Sequence, residues 1–313
     1  MSDALIEVAA AAMGTVVSIQ LAQVEDATGA TTAAREALDL LPLIEQCCSR
    51  FREDSELWAL CQRSPGLVEG SPLLVELLAL AVVLAERTDG AYDPTVGASL
   101  HARGFRTAWD SGRCLELPTG CLPGSESAAR GGWRQLRVDR GARTIDMRAP
   151  LLLDLGGLAK GFAVDLLRHH LSAFPNVCIN AGGDVRASGT GGMGIPWRIG
   201  IRDPLTPNRL VAQVALDEGA VCTTAVGGRS GTGGGRHVVV PHRHAAECHL
   251  ASVSVLASTA VVADGLSTAA FVLGPEAAHP ILCEEGASAL FVLADGQLET
   301  VGVGAMAARW ERC

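Results

Sequence analysis

The chain has no excess of basic charge: 25 Lys and Arg stand against 34 Asp and Glu, a formal net charge of −9. That balance argues against nucleic acid as the main partner, because phosphate backbones are held by basic faces. A local basic pocket for a small phosphorylated ligand stays open. No C-x-x-C pair occurs among the ten cysteines, which removes support for structural zinc and for thioredoxin-type redox chemistry. Buried free thiols in a reducing compartment are the expectation. Long apolar runs are missing too: LLVELLALAVVLA at 73–85 is short for a membrane span and is interrupted by Glu76. The start, MSDALIEVAAAAMG, lacks a positive n-region and carries Asp3 and Glu7, so a cytoplasmic location without a signal peptide is expected. Neither a Walker loop nor G-x-G-x-x-G is present, and no repeat of fixed period is visible.

What remains is a foldable chain of mixed type. At 313 residues, 48% of them hydrophobic and 19% charged, it has ample core for one large domain or two modest ones. Its 36 glycines are too many for an all-helical protein and call for many turns and strand ends. VVSIQLA (16–22) reads as a strand, and TTAAREALDLLPLIEQCCSRF (31–51) as a helix with Pro42 as its complication. A second helix runs from Pro72 to Thr88 and ends at the Asp89-Gly90 turn. Residues 101–132 read as an irregular connection, and 134–150 as two short strands around a turn. LLLDLGGLAKGFAVDLLRHHL (151–171) starts as a strand and becomes a helix after Gly156-Gly157. Strands follow at 176–189, 197–204, 210–224 and 252–258, with a glycine-rich loop at 227–237 and a closing hairpin at 288–303. Hairpins mixed with single helices, rather than strict βαβ alternation, favour α+β.

Four short stretches could carry chemistry, and each also has an ordinary reading. In ADGLSTAAFVLG (263–274), Asp264, Ser267 and Thr268 share one helix face at i, i+3, i+4. They would serve a helix start or a hard cation that prefers oxygen donors. In DLGGLAKGF (154–162) a glycine turn opens a helix beside Lys160, a seat for phosphate or simply a tight turn. DGAYDPTVG (89–97) places Asp93 before Pro94, which extends the backbone there and suits an Asx turn. NAGGDVRASG (180–189) has a glycine pair that admits a close neighbour. His237, in RHVVVPH, is an isolated histidine.

The order of these stretches is more telling than any one of them. AMGT, SRFREDSELWAL, GAYDPTVGASL, LDLGGLAKGFAVD, NAGGDVRASG, a H-x-x-x-P segment and ADGLSTAAFVLG together resemble the FAD:protein FMN transferases of the ApbE family. The resemblance runs from about Met13 to Gly274. It implies an α+β, T-fold-like architecture of antiparallel sheets with helices packed on one face, and one such domain over 1–313. It also implies FAD as substrate, Mg²⁺ as cofactor, and an acceptor protein whose Thr or Ser receives FMN while AMP departs.

Residue by residue, the resemblance places Asp264, Ser267, Thr268 and the carbonyl of Ala159 at the metal. Met13, Phe51, Ala91, Tyr92, Asp93, Gly156, Phe162 and Val238 fall at positions near FAD. His237 becomes the candidate base, since histidine titrates near neutrality, with Asp264 as a possible assistant. The chain departs from the family pattern at Val240 and in TTAVGGRSGTGGGR (223–236), on the side expected to meet the acceptor. No lipobox cysteine is seen. An FAD pyrophosphatase, with water in place of the acceptor, and a non-catalytic FAD-binding protein are the alternative functions.

Overall fold

A computed structural model describes residues 5–107, 112, 114, 116, 117, 121, 131–206, 208–226, 249–302 and 309–313. In chain order, β1 (Leu5–Ala12) and β2 (Thr15–Ala22) form a hairpin. Then come α1 (Ala27–Leu38), α2 (Leu41–Cys48), α3 (Glu56–Gln62), β3 (Gly66–Glu69), α4 (Pro72–Arg87) and α5 (Gly97–Ala102). After β4 (Leu136–Asp139) and β5 (Thr144–Met147), α6 (Ala159–His170) leads to β6 (Val177–Ala181) and β7 (Asp184–Ser188). β8 (Thr190–Gly192), β9 (Ile195–Arg202), β10 (Leu210–Leu216) and β11 (Glu218–Ala225) precede β12 (Leu250–Ala257). α7 (Ala260–Glu284), β13 (Ser288–Leu293), β14 (Leu298–Gly302) and β15 (Trp310–Arg312) close the order.

Eight strands make one antiparallel sheet in the order β1-β2-β6-β7-β11-β12-β13-β14. Alternation along its strands decides what each face meets. Val253, Val255 and Phe291 point to a core shared with Leu266 and Phe271 of α7 and Leu167 of α6. Their neighbours Leu256 and Leu290 point the other way, to Trp197 and Val214 of a four-stranded sheet, β15-β10-β9-β8. Every residue of β12 is buried, as expected for a strand covered on both faces. A three-stranded sheet, β3-β5-β4, packs on α4. The α+β architecture with antiparallel sheets is therefore observed, and α6 and α7 cover one face of the large sheet.

Several local readings need correction. The helix expected over 31–51 is two helices, because Pro42 cannot continue the first and instead sits in the opening turn of α2. Residues 151–155 form no strand; their backbone is tied instead to Pro94 O by Asp154 N (2.8 Å) and by Leu152 O to Gly97 N (3.1 Å). Short elements at β1, α3, β3 and α5 were not foreseen. The loop expected at 227–237 and most of the 101–132 connection lie outside the described residues.

Candidate functional site

The site starts from how α7 begins. Thr259 at its N-cap position makes no side-chain cap bond. The exposed N–H groups are taken instead by Asp165 of α6, which accepts from Ala260 N at 3.0 Å and Val261 N at 2.9 Å. Arg186 of β7 pairs with Asp165 at 2.5 Å and holds it in place. The middle of α6 is thus locked to the start of α7.

Asp264 then lies a full turn inside α7, which rules out the helix-start role. Its side chain is buried, 3% exposed, and one oxygen accepts from Gly161 N at 3.0 Å. Glycine is needed there, since a Cβ on Gly161 would stand 2.8 Å from Asp264 Cβ. One turn earlier, a Cβ on Gly157 would stand 2.6 Å from Thr268 Oγ1. So the α6 turn over 157–161 lies directly against the 264–268 face of α7, with buried Ala159 between the two glycines. Ser267 is fully buried; its hydroxyl donates to Asp264 O (2.8 Å) and meets Thr224 Oγ1 at 2.7 Å.

Charge is concentrated at the same place. Lys160, the chain's one lysine, pairs with Asp184 of β7 and stands 4.0 Å from Asp264 Oδ1. Burial pulls the Lys160 ammonium down, but Asp264 and Asp184 outweigh it and keep it charged. Burial pushes the Asp264 carboxyl up, while Lys160 works against that rise. The donors gathered here are a carboxylate, hydroxyls and backbone carbonyls. Among the described residues no three His, Cys, Asp or Glu side chains close into a cage. That donor chemistry fits a hard cation that keeps some of its own water, as Mg²⁺ does, and does not fit zinc.

A second set of residues is joined by contacts that lead through Asp154 to Gly156, next to the α6 turn. Met13 sits in the β1–β2 turn at φ +53, and its N–H donates to Glu45 of α2 at 2.7 Å. The loop after α2 carries Arg50, whose guanidinium lies 4.1 Å from the Phe51 ring and pairs with Asp154. Asp154 in turn accepts from Gly156 N at 2.8 Å, and its own N–H reaches Pro94 O. Ala91, Tyr92 and Asp93 are buried beside it. Among the described residues the Tyr92 hydroxyl and Asp93 Oδ2 have no hydrogen-bond partner, which is costly unless a ligand supplies one. Burial raises Tyr92 well above the ordinary tyrosine value, and Asp154, Asp264 and Asp93 add to the rise. Phe162 is half-buried on α6. His237 and Val238 lie outside the described residues.

Sequence reasoning missed Arg50, Asp154, Asp165, Asp184 and Thr224 as members of this region. One signal was available: with 25 Lys and Arg in all, every basic position but Lys160 is arginine. A compact ammonium retained at a single position marks a place where the arginine fork does not serve.

Comparison with known proteins gives the family. The profile of the ApbE family matches residues 13–291. The chain belongs to the ApbE family. Among curated ApbE relatives, the FAD:protein FMN transferase of Haemophilus influenzae is 28% identical over 85% of this chain and 80% of its own length. That of Treponema pallidum is 29% identical over 90% and 83%. Among solved structures, the ApbE protein of Thermotoga maritima superposes with a TM-score of 0.81 at 29% identity, covering 95% of this chain and 97% of that one. The flavin transferase ApbE from Vibrio cholerae gives 0.81 at 26% identity, over 98% and 99%.

Proposed function

We propose that this chain is an FAD:protein FMN transferase, moving the FMN portion of FAD onto a Thr or Ser of an acceptor protein and releasing AMP. The observation that carries this reading is the α6 turn laid against Asp264 and Thr268, together with the buried Tyr92 hydroxyl and Asp93 Oδ2, which lack a partner among the described residues. Asp264, Thr268 and the Ala159 carbonyl would hold Mg²⁺, with Ser267 in the same motif. The cation supplies charge neutralisation for phosphoryl transfer.

The protein's own part is positioning. Phe51 offers an aromatic face to a flavin, and Met13, Ala91, Phe162 and Gly156 shape the space around it. Tyr92 and Asp93 have hydrogen-bonding capacity left for the substrate. Attack by the acceptor hydroxyl on the FMN-side phosphorus requires a base, and His237 is our candidate from its place in the sequence. Among the described residues no helix is long and apolar enough to cross a membrane, so an acceptor would be met at the protein's surface.

The test incubates the protein with FAD and Mg²⁺, with and without candidate acceptor proteins, and follows AMP and acceptor mass. AMP with an FMN-sized mass gain, lost in Asp264→Ala, is the expected result. AMP and free FMN with every acceptor unmodified would replace the transferase with a pyrophosphatase. FAD bound and intact throughout would leave a flavin-binding protein.

A further inference from the structure

Thr224, at the end of β11, touches both Ser267 and Thr268, and the hydrogen-bond directions there can be assigned. Ser267 Oγ is 2.8 Å from Asp264 O. A carbonyl only accepts, so the Ser267 hydrogen is committed to it. The 2.7 Å contact between Thr224 Oγ1 and Ser267 Oγ must then be donated by Thr224. With its own hydrogen committed, Thr224 can only accept across the 3.4 Å that separates its Oγ1 from Thr268 Oγ1. Thr268 is therefore the donor in that contact, and its hydrogen points back toward β11. The lone pairs of Thr268 face away, toward Gly157, where only the missing Cβ leaves room.

We propose that Thr224 is a positioning residue that sets the polarity of this hydroxyl chain, so that Thr268 presents lone pairs rather than a hydrogen to a divalent cation. Ser267 is the anchor that fixes the direction, through Asp264 O, and acts on Thr268 only through Thr224. A hydroxyl free to rotate would present its hydrogen to the cation part of the time, and binding would weaken accordingly. The inference rests on the reading of Asp264 and Thr268 as cation ligands. Thr224 and Ser267 are 8% and 0% exposed, so no bulk water replaces either hydroxyl when it is removed.

The experiment measures Mn²⁺ binding by electron paramagnetic resonance on the full chain without FAD, alongside circular dichroism to confirm the fold. Thr224→Val, nearly isosteric, is expected to bind roughly tenfold more weakly, in line with the loss of groups that orient a metal ligand. Thr224→Ser keeps the hydroxyl and should bind like the wild type. Ser267→Ala should weaken binding as well, because Thr224 is then free to reverse. In the double variant Thr224→Val/Ser267→Ala, the serine change should add nothing further, since its path to Thr268 is already cut. Wild-type affinity in folded Thr224→Val, or equal and additive losses in the two single variants, would overturn the proposal. Should Thr224→Val not fold, Ser267→Ala against Thr224→Ser/Ser267→Ala decides: wild-type affinity in both would overturn it. Equal Mn²⁺ binding by wild type and Asp264→Ala would instead remove the ligand reading itself, and the proposal with it.

Discussion

The two faces of the eight-stranded sheet are built from the same alternating strands and put to different uses. The face covered by α6 and α7 buries Asp264, Asp184, Ser267 and Thr224 among its apolar residues. The face covered by the four-stranded sheet is closed by Trp197, Val214, Leu216, Leu256 and Leu290. Its tryptophan N–H is satisfied by Ser188 O at 3.0 Å. A cavity of about 370 Å³ does lie beyond it, lined by Asp203, Leu205, Arg209, Asp295 and Leu298, but none of the candidate site residues reaches it. The face toward the four-stranded sheet buries neutral hydroxyls such as Ser254 and Ser288, whereas the helix face buries the carboxylates Asp184 and Asp264. Buried charge is the more expensive, and its place shows where the fold gives up stability for chemistry.

The comparison can be broken by substitutions on either side. On the helix face, Asp264→Asn keeps an acceptor for Gly161 N–H but removes the charge. AMP release from FAD should fall about a thousandfold, roughly 4 kcal/mol of barrier, while the denaturant midpoint moves little. On the opposite face, Trp197→Ala should do the reverse. It empties a buried site and orphans Ser188 O, and urea titration should show a loss of about 3–5 kcal/mol with the KM for FAD unchanged.

A third prediction concerns pH. Burial pushes the Asp93 carboxyl up to about 6 from its ordinary 3.8, against the lowering effect of its bonds from Thr95. Between about pH 4 and pH 6 the folded protein therefore keeps a proton that the unfolded chain has released. Stability from this group is greatest at low pH and is lost as pH rises through about 6, by about 3 kcal/mol. Relative to Asp93→Asn, the wild type should lose stability over that window in urea titrations without FAD. A parallel pH dependence in the two proteins would show that the carboxyl is not held in this way. The smallest effect sharpens the geometry: Gly157→Ala crowds Thr268 Oγ1 and should raise the Mg²⁺ concentration needed for half-maximal AMP release roughly tenfold.

Much of this was legible in the sequence where one short range decided the outcome. The strand read at 16–22, the helix ending at Asp89-Gly90 and the hairpin read at 288–303 all carry their own signals, and the structure has a strand at Thr15–Ala22, a helix at Pro72–Arg87 and paired strands at Ser288–Leu293 and Leu298–Gly302. The Asp264, Ser267, Thr268 face was visible as i, i+3, i+4 spacing, although whether it capped a helix or met a cation was not. That answer depended on Asp165, some hundred residues earlier, taking over the cap and leaving Asp264 inside the helix. Asp184 and Thr224 were illegible for the same reason: each is an ordinary strand residue until β7 and β11 bring it to α6 and α7. The edge strand β1 was missed because a run of alanines carries no β-branched pattern.

The central claim is that one divalent cation is held between the α6 turn and the α7 face. The most direct measurement is diffraction from crystals grown with Mn²⁺ and FAD, using the anomalous signal to locate the metal. The account predicts one strong site bonded to Asp264 and Thr268 side-chain oxygens and to the Ala159 carbonyl, with FAD phosphate oxygens completing the shell. A metal seated away from Asp264, with the FAD diphosphate remote from the start of α6, would contradict it.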